Sequence, residues 1–139
     1  MSEKRYYFDT SIWLDFLEKR DEPNMPKSDW ALKLVDKVTN NGDTIILSDN
    51  NILELESIGY LRYDIEDLLS SLSSFIKYVE STSQQIGKAK DLSQKRNVPK
   101  RDALHALIAR DNQAILVTLD SHFNELKDIC KPYRTNELI

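Results

Sequence analysis

The sequence predicts a doubly wound α/β fold, a mainly parallel β-sheet flanked by helices on both faces. Three observations carry that expectation. Apolar runs such as Ile45-Ile46-Leu47 and Ile115-Leu116-Val117 are continuous rather than alternating, as in strands buried on both faces. Between the strand-like runs lie segments with apolar residues at helical spacing, the alternation expected of a parallel sheet. Two of the strand-like runs end at an aspartate, where an open parallel sheet gathers its functional groups.

The elements follow in order. Arg5 to Phe8 is a short run of strand formers ending at Asp9, and Thr10 and Ser11 then offer helix caps. Ser11 to Arg20 places Ile12, Trp13, Phe16 and Leu17 at helical spacing. After Pro23 and Pro26, Ser28 can cap a second helix carrying Trp30, Leu34, Val35 and Val38, which Asn40-Asn41-Gly42 ends. Asp43 to Ser48 reads as the second strand. A helix from Asp49 or Asn50 to about Gly59 carries Ile52, Leu55 and Ile58.

From Asp64 another helix leads to Phe75–Glu80, whose alternation predicts a third strand. Ser83 to Gln94 places Ile86, Ala89 and Leu92 on one helical face. Pro99 suits a first helical turn, and Asp102 to Arg110 repeats Leu104, Leu107 and Ile108. Ala114 to Thr118 is the fourth strand and leads to Asp120. Tyr133 to Ile139 is either a short edge strand or a final turn.

At 139 residues the chain is expected to form a single domain, 1–139. With 40% hydrophobic and 30% charged residues it has the composition of an ordinary globular protein. The polar, charged start from Met1 to Arg5 is unlike a signal peptide, and no apolar run reaches transmembrane length, so a cytoplasmic protein without membrane contact is expected. One cysteine, Cys130, excludes an intramolecular disulfide and cysteine-cluster metal sites. A net charge of −4 argues against a global positive field for nucleic acid. Within this acidic chain, however, Lys88, Lys90, Lys95, Arg96, Lys100 and Arg101 make one local basic segment opposed only by Asp91.

Asp9 and Asp120 each follow a strand, so in a parallel sheet they lie along the same edge and become neighbours if their strands are adjacent. Asp102 belongs to the first turn of a helix, where amide groups favour a carboxylate. Glu54 lies about one and a half turns into the helix after the second strand, where a longer side chain helps it reach the strand ends. Carboxylates drawn together raise one another's pKa unless a cation neutralises them. Oxygen donors select hard ions, and His105 and His122 are unsuitably spaced for zinc, so Mg²⁺ or Mn²⁺ is expected.

The stretches YYFDTSIWLDFL around Asp9, SDNNILELE around Glu54, VPKRDALHALIAR around Asp102 and LVTLDSHF around Asp120 together resemble PIN-domain ribonucleases, including VapC-like toxins of toxin-antitoxin pairs. The resemblance extends from Tyr6 to about Leu126. It implies a PIN-like fold and a Mg²⁺ or Mn²⁺ site built by Asp9, Glu54, Asp102 and Asp120. It also implies hydrolysis of RNA, an antitoxin protein as partner and a homodimer. Thr118 matches the family's threonine in the fourth motif, and Thr10 and Ser11 are supporting candidates beside Asp9. Glu56 stands two residues from Glu54 and competes with it as the helical ligand. His122 stands where many relatives carry another acid, which leaves one or two metals open.

Each residue also has a plainer reading. Taken singly, Asp9 and Asp120 serve as turn residues or helix caps as readily as in catalysis, Asp102 as a helix-start acid and Glu54 as a solvated charge. His105, three residues after Asp102, either orients that carboxylate, touches substrate, or is simply packed and hydrogen-bonded. Trp13 and Trp30 read as core or interface. Lys100, Arg101 and His122 are the candidates for contact with RNA phosphates, against a solvated surface. The leading expectation is a metal-dependent endoribonuclease. The alternatives are a non-catalytic RNA- or protein-binding module and a phosphate-accepting signalling domain, which lacks its usual acid pair before Asp9.

Overall fold

The computed structural model describes residues 3–18 and 20–139. Five strands, β1 (Arg5–Phe8), β2 (Thr44–Ser48), β3 (Ile76–Val79), β4 (Ile115–Val117) and β5 (Pro132–Tyr133), form one sheet in the order β3-β2-β1-β4-β5. All its pairings are parallel. The winding direction reverses between β1 and β4, where Phe8 stands opposite Val117.

Alternation along each strand sorts the side chains into two cores. Tyr6, Phe8, Ile45, Leu47 and Val117 pack on one face with Trp13 and Ile12 of α1 (Thr10–Glu18), Leu34, Val35 and Val38 of α2 (Lys27–Asn40), Leu55 of α3 (Asp49–Ser57) and Ile65 of α4 (Arg62–Leu69). Tyr7, Ile46 and Leu116 pack on the other with Ala89 and Leu92 of α5 (Ser83–Arg96) and Leu104, Leu107 and Ile108 of α6 (Lys100–Asp111). The middle of helix α6, residues 103–109, is buried all round in this second core, which is why that stretch is Ala, Leu and Ile apart from His105.

Several boundaries differ from the sequence expectation. The extension of α1 through Lys19 lies outside the described residues, and Arg20 is not helical. Asp9, rather than Thr10 or Ser11, caps α1, because its Oδ1 accepts the Ile12 amide at 3.1 Å. Helix α2 starts at Lys27 without a side-chain cap, and the Ser28 amide donates instead to Asp21. Pro26 supplies a restricted φ of −78° just before the first turn. Pro99 likewise precedes α6 rather than entering it. The last segment takes both forms left open: β5 is a two-residue edge strand, and α7 (Thr135–Leu138) follows it.

Candidate metal centre

The crevice at the carboxyl ends of β1 and β4 collects all four candidate acids. Asp9 sits one residue beyond β1 and is tied to β4, its amide donating to the Val117 carbonyl at 3.1 Å. Its carboxylate is buried and both oxygens are hydrogen-bonded: Oδ1 accepts from Ser11 Oγ at 2.7 Å and Ile12 N, and Oδ2 accepts from Thr118 Oγ1 at 2.6 Å. Burial raises its pKa, against the lowering effect of those donors. Thr118 also accepts the Asp120 amide at 3.0 Å, so one hydroxyl links the two strand-end acids.

Asp102, in the first turn of α6, faces Asp120 and His122. One ligand atom from each of these three lies within 4.8 Å of the other two. Asp120 Oδ1 is 3.3 Å and Asp102 Oδ2 3.8 Å from His122 Nδ1. Burial first, then the charge of Asp120, push the Asp102 carboxyl up to about 6; Asp9 and Glu54 add to this and His105 opposes it. That charge is only partly relieved within the protein. His122, largely exposed, adds an imidazole nitrogen to a donor set that the sequence suggested was oxygen alone.

Glu54 projects from α3 toward the same crevice, whereas Glu56 turns away and pairs with Arg62 at 3.8 Å. Glu54 Oε1 accepts from Thr10 Oγ1 at 2.7 Å and from His105 Nε2. Burial would raise its pKa, but His105, Thr10 and Arg101 more than offset this and hold it below the ordinary value. His105 is thus packed and hydrogen-bonded, and its carboxylate partner is Glu54 rather than Asp102. Lys100 and Arg101 are exposed at the start of α6. Arg96, from the same basic segment, is engaged by both oxygens of Asp128 at 2.6 and 2.9 Å.

The donor chemistry fits a divalent cation. The carboxylate oxygens suit Mg²⁺ or Mn²⁺, the imidazole nitrogen of His122 is accepted more readily by Mn²⁺ than by Mg²⁺, and the raised Asp102 pKa marks a place where positive charge would be stabilising. A mostly apolar cavity of about 470 Å³ lies elsewhere, between α4 and β3, and is lined by none of these acids.

The family model for the PIN domain matches residues 6–129. The chain belongs to the PIN domain family. Its fold is similar to VapBC2 from Rickettsia felis, solved bound to a DNA fragment from its promoter, at 19% identity and TM-score 0.65, covering 94% of this chain and 98% of that one. It is also similar to a toxin-antitoxin complex from Klebsiella pneumoniae at 16% identity and TM-score 0.62, covering 94% and 97%. A third similar structure is FitAcB from Neisseria gonorrhoeae, at 15% identity and TM-score 0.64, covering 96% and 99%. A search of curated proteins finds no match by sequence.

Sequence reading of this PIN domain missed Asn50 and Asn51. Both are buried at the start of α3. Asn51 Nδ2 donates to the Phe8 carbonyl and to Thr10 Oγ1, each at 3.1 Å, fastening α3 to the end of β1. The available signal was a pair of amides directly after a buried strand, where unpaired polar groups are costly.

Proposed function

We propose that this PIN domain is a divalent-metal-dependent endoribonuclease that hydrolyses RNA phosphodiester bonds, acting as the toxin of a toxin-antitoxin pair. The observation that carries the reading is the convergence of Asp102, Asp120 and His122, with Asp9 and Glu54 close enough to alter the charge of Asp102. In this reading Asp9, Glu54, Asp102 and Asp120 hold Mg²⁺ or Mn²⁺, His122 is available as a further donor beside Asp102 and Asp120, and residues 1–139 work as one domain. A bound ion of this kind supplies an activated water and stabilises charge developing on phosphodiester oxygens.

The side chains around it have separate tasks. Thr118 and Ser11 fix both oxygens of Asp9 by donating to them. Lys100 and Arg101 attract the backbone of an RNA strand entering beside Asp102. His122 has a ring nitrogen near both Asp102 and Asp120 and is exposed enough to meet a phosphate. An antitoxin partner belongs to the same proposal, supported by the fold's likeness to toxin-antitoxin complexes, and so do a homodimer and a cytoplasmic location.

The test is RNA cleavage in Mn²⁺, with wild type, Asp9→Asn and Asp102→Asn in parallel and a chelator control. The expected loss in each variant is at least about 100-fold, since a metal-centred step contributes several kcal/mol of barrier lowering. Undiminished cleavage in both variants sinks the nuclease reading. Absence of cleavage in wild type, together with RNA binding, favours a non-catalytic binding module.

A further inference from the structure

His105 is buried, and both its ring nitrogens are occupied. We propose that His105 is a positioning residue that fixes one carboxylate oxygen of Glu54, leaving the other as the oxygen offered to a divalent cation. The inference rests on the metal-centre reading above.

Glu54 needs such help for a reason Asp9 does not share. Asp9 stands at an element end, where the Ile12 amide, shared between the Asp9 carbonyl and its Oδ1, holds it alongside two hydroxyls. Glu54 stands within α3, where backbone amides are used by the helix itself. Its donors must therefore come from other elements. Thr10 supplies one from α1 and His105 supplies one from α6, both to Oε1. Among the described residues, Oε2 has no hydrogen-bond partner.

The neighbouring amide also favours one tautomer of the ring. Asn50 Nδ2 donates to the Arg101 carbonyl at 3.1 Å, and a carbonyl can only accept, so the orientation of that amide is settled. The same Nδ2 faces His105 Nδ1 at 3.2 Å. With that amide as donor Nδ1 accepts, its single lone pair shared between Asn50 Nδ2 and the Tyr7 hydroxyl, which has Ser48 Oγ donate to Tyr7 rather than to Asn51 Oδ1. Nε2 carries the proton and donates it to Glu54. Tyr7 is in turn steadied by Ser48 Oγ at 2.7 Å, so groups from β1, β2 and α3 clamp a ring carried by α6. A ring this enclosed does not reach substrate; its effect passes through Glu54.

The experiment measures Mn²⁺ affinity of the full chain by calorimetry for wild type, His105→Leu, His105→Gln and Tyr7→Phe combined with Asn50→Ala, with circular dichroism confirming the fold. His105→Leu is expected to weaken Mn²⁺ binding about 10- to 100-fold, the range for groups that orient metal ligands. His105→Gln, which restores an N–H donor, is expected to recover most of that loss. Wild-type affinity in a folded His105→Leu chain overturns the positioning role. If His105→Leu fails to fold, Tyr7→Phe combined with Asn50→Ala carries the test, because together they remove both donors to Nδ1 without adding volume; unchanged affinity there overturns the proposal. Nitrogen-15 shifts of the wild-type ring should place the proton on Nε2, and a proton on Nδ1 alone is incompatible with it. A wild-type chain that binds no Mn²⁺ refutes the metal centre itself. Normal wild-type binding with unaltered variants refutes only the role of His105.

Discussion

Helices α3 and α6 each deliver one carboxylate to the crevice, and they treat it in opposite ways. Glu54 on α3 receives donors from Thr10 and His105 and is held below the ordinary glutamate pKa, even though burial works against this. Asp102 on α6 meets burial and the charge of Asp120, and is pushed up to about 6. Burial penalises both. What separates them is the supply of hydrogen-bond donors, which decides whether a buried carboxylate is comfortable in the fold or waits for a cation. One side of the crevice is a finished scaffold, and the other is strained by charge.

The largest effect on stability is expected from breaking the finished side. Glu54→Leu leaves His105 Nε2–H and the Thr10 hydroxyl without their acceptor, at a cost of about 2 kcal/mol. Chemical denaturation would register this as a lower midpoint, and an unchanged midpoint would show that the Glu54 contacts contribute nothing net.

Asp102→Asn should act in the reverse direction in metal-free protein. Folded Asp102 keeps its proton up to about pH 6, while the unfolded chain releases it near the ordinary aspartate value. Between those values the folded state binds more protons, so stability falls as pH rises, and the penalty is full above pH 6. Discounted for partial solvent access, removing it at pH 7.5 is worth about 1 kcal/mol, or ~4 °C in Tm. Asp15, also raised to about 6 by burial against the opposing charge of Arg20, contributes a slope of the same sign that Asp102→Asn leaves in place. The difference between wild-type and variant melting curves across pH 4.5–7.5 isolates Asp102.

The smallest effect sharpens the choice between neighbouring glutamates. Glu56→Gln removes only a partly exposed pairing with Arg62 and should change stability by less than ~0.5 kcal/mol, with cleavage unaltered. A large loss of cleavage there would move the helical ligand from Glu54 to Glu56.

The strand-end acids were legible because local pattern places them: Tyr6-Tyr7-Phe8 and Ile115-Leu116-Val117 declare buried strands, and the acid after each lies on a common edge once the sheet is parallel. Asp102 was legible from Pro99 and the apolar helix behind it. The scaffold around Glu54 was not, because its contacts join residues far apart in sequence: Tyr7 to His105, Glu54 to His105, Asn51 to Phe8. Nothing in the segment around His105 announces that its partner is on α3. His122 escaped assignment as a donor for a related reason, since its place beside Asp102 depends on how the turn after Asp120 folds back toward α6. Helix starts at Lys27 and Lys100 were displaced by a residue or more because proline, rather than a polar cap, sets the chain direction there.

The contrast between the two sides is tested most directly by the Tm gained on adding millimolar Mn²⁺, measured at pH 5 and pH 7.5 for wild type and Asp102→Asn. If the Asp102 side awaits a cation, the gain in wild type is larger at pH 7.5, where protons no longer compete for that carboxylate, and nearly vanishes in the variant. Equal gains at both pH values, or an undiminished gain in Asp102→Asn, would contradict it.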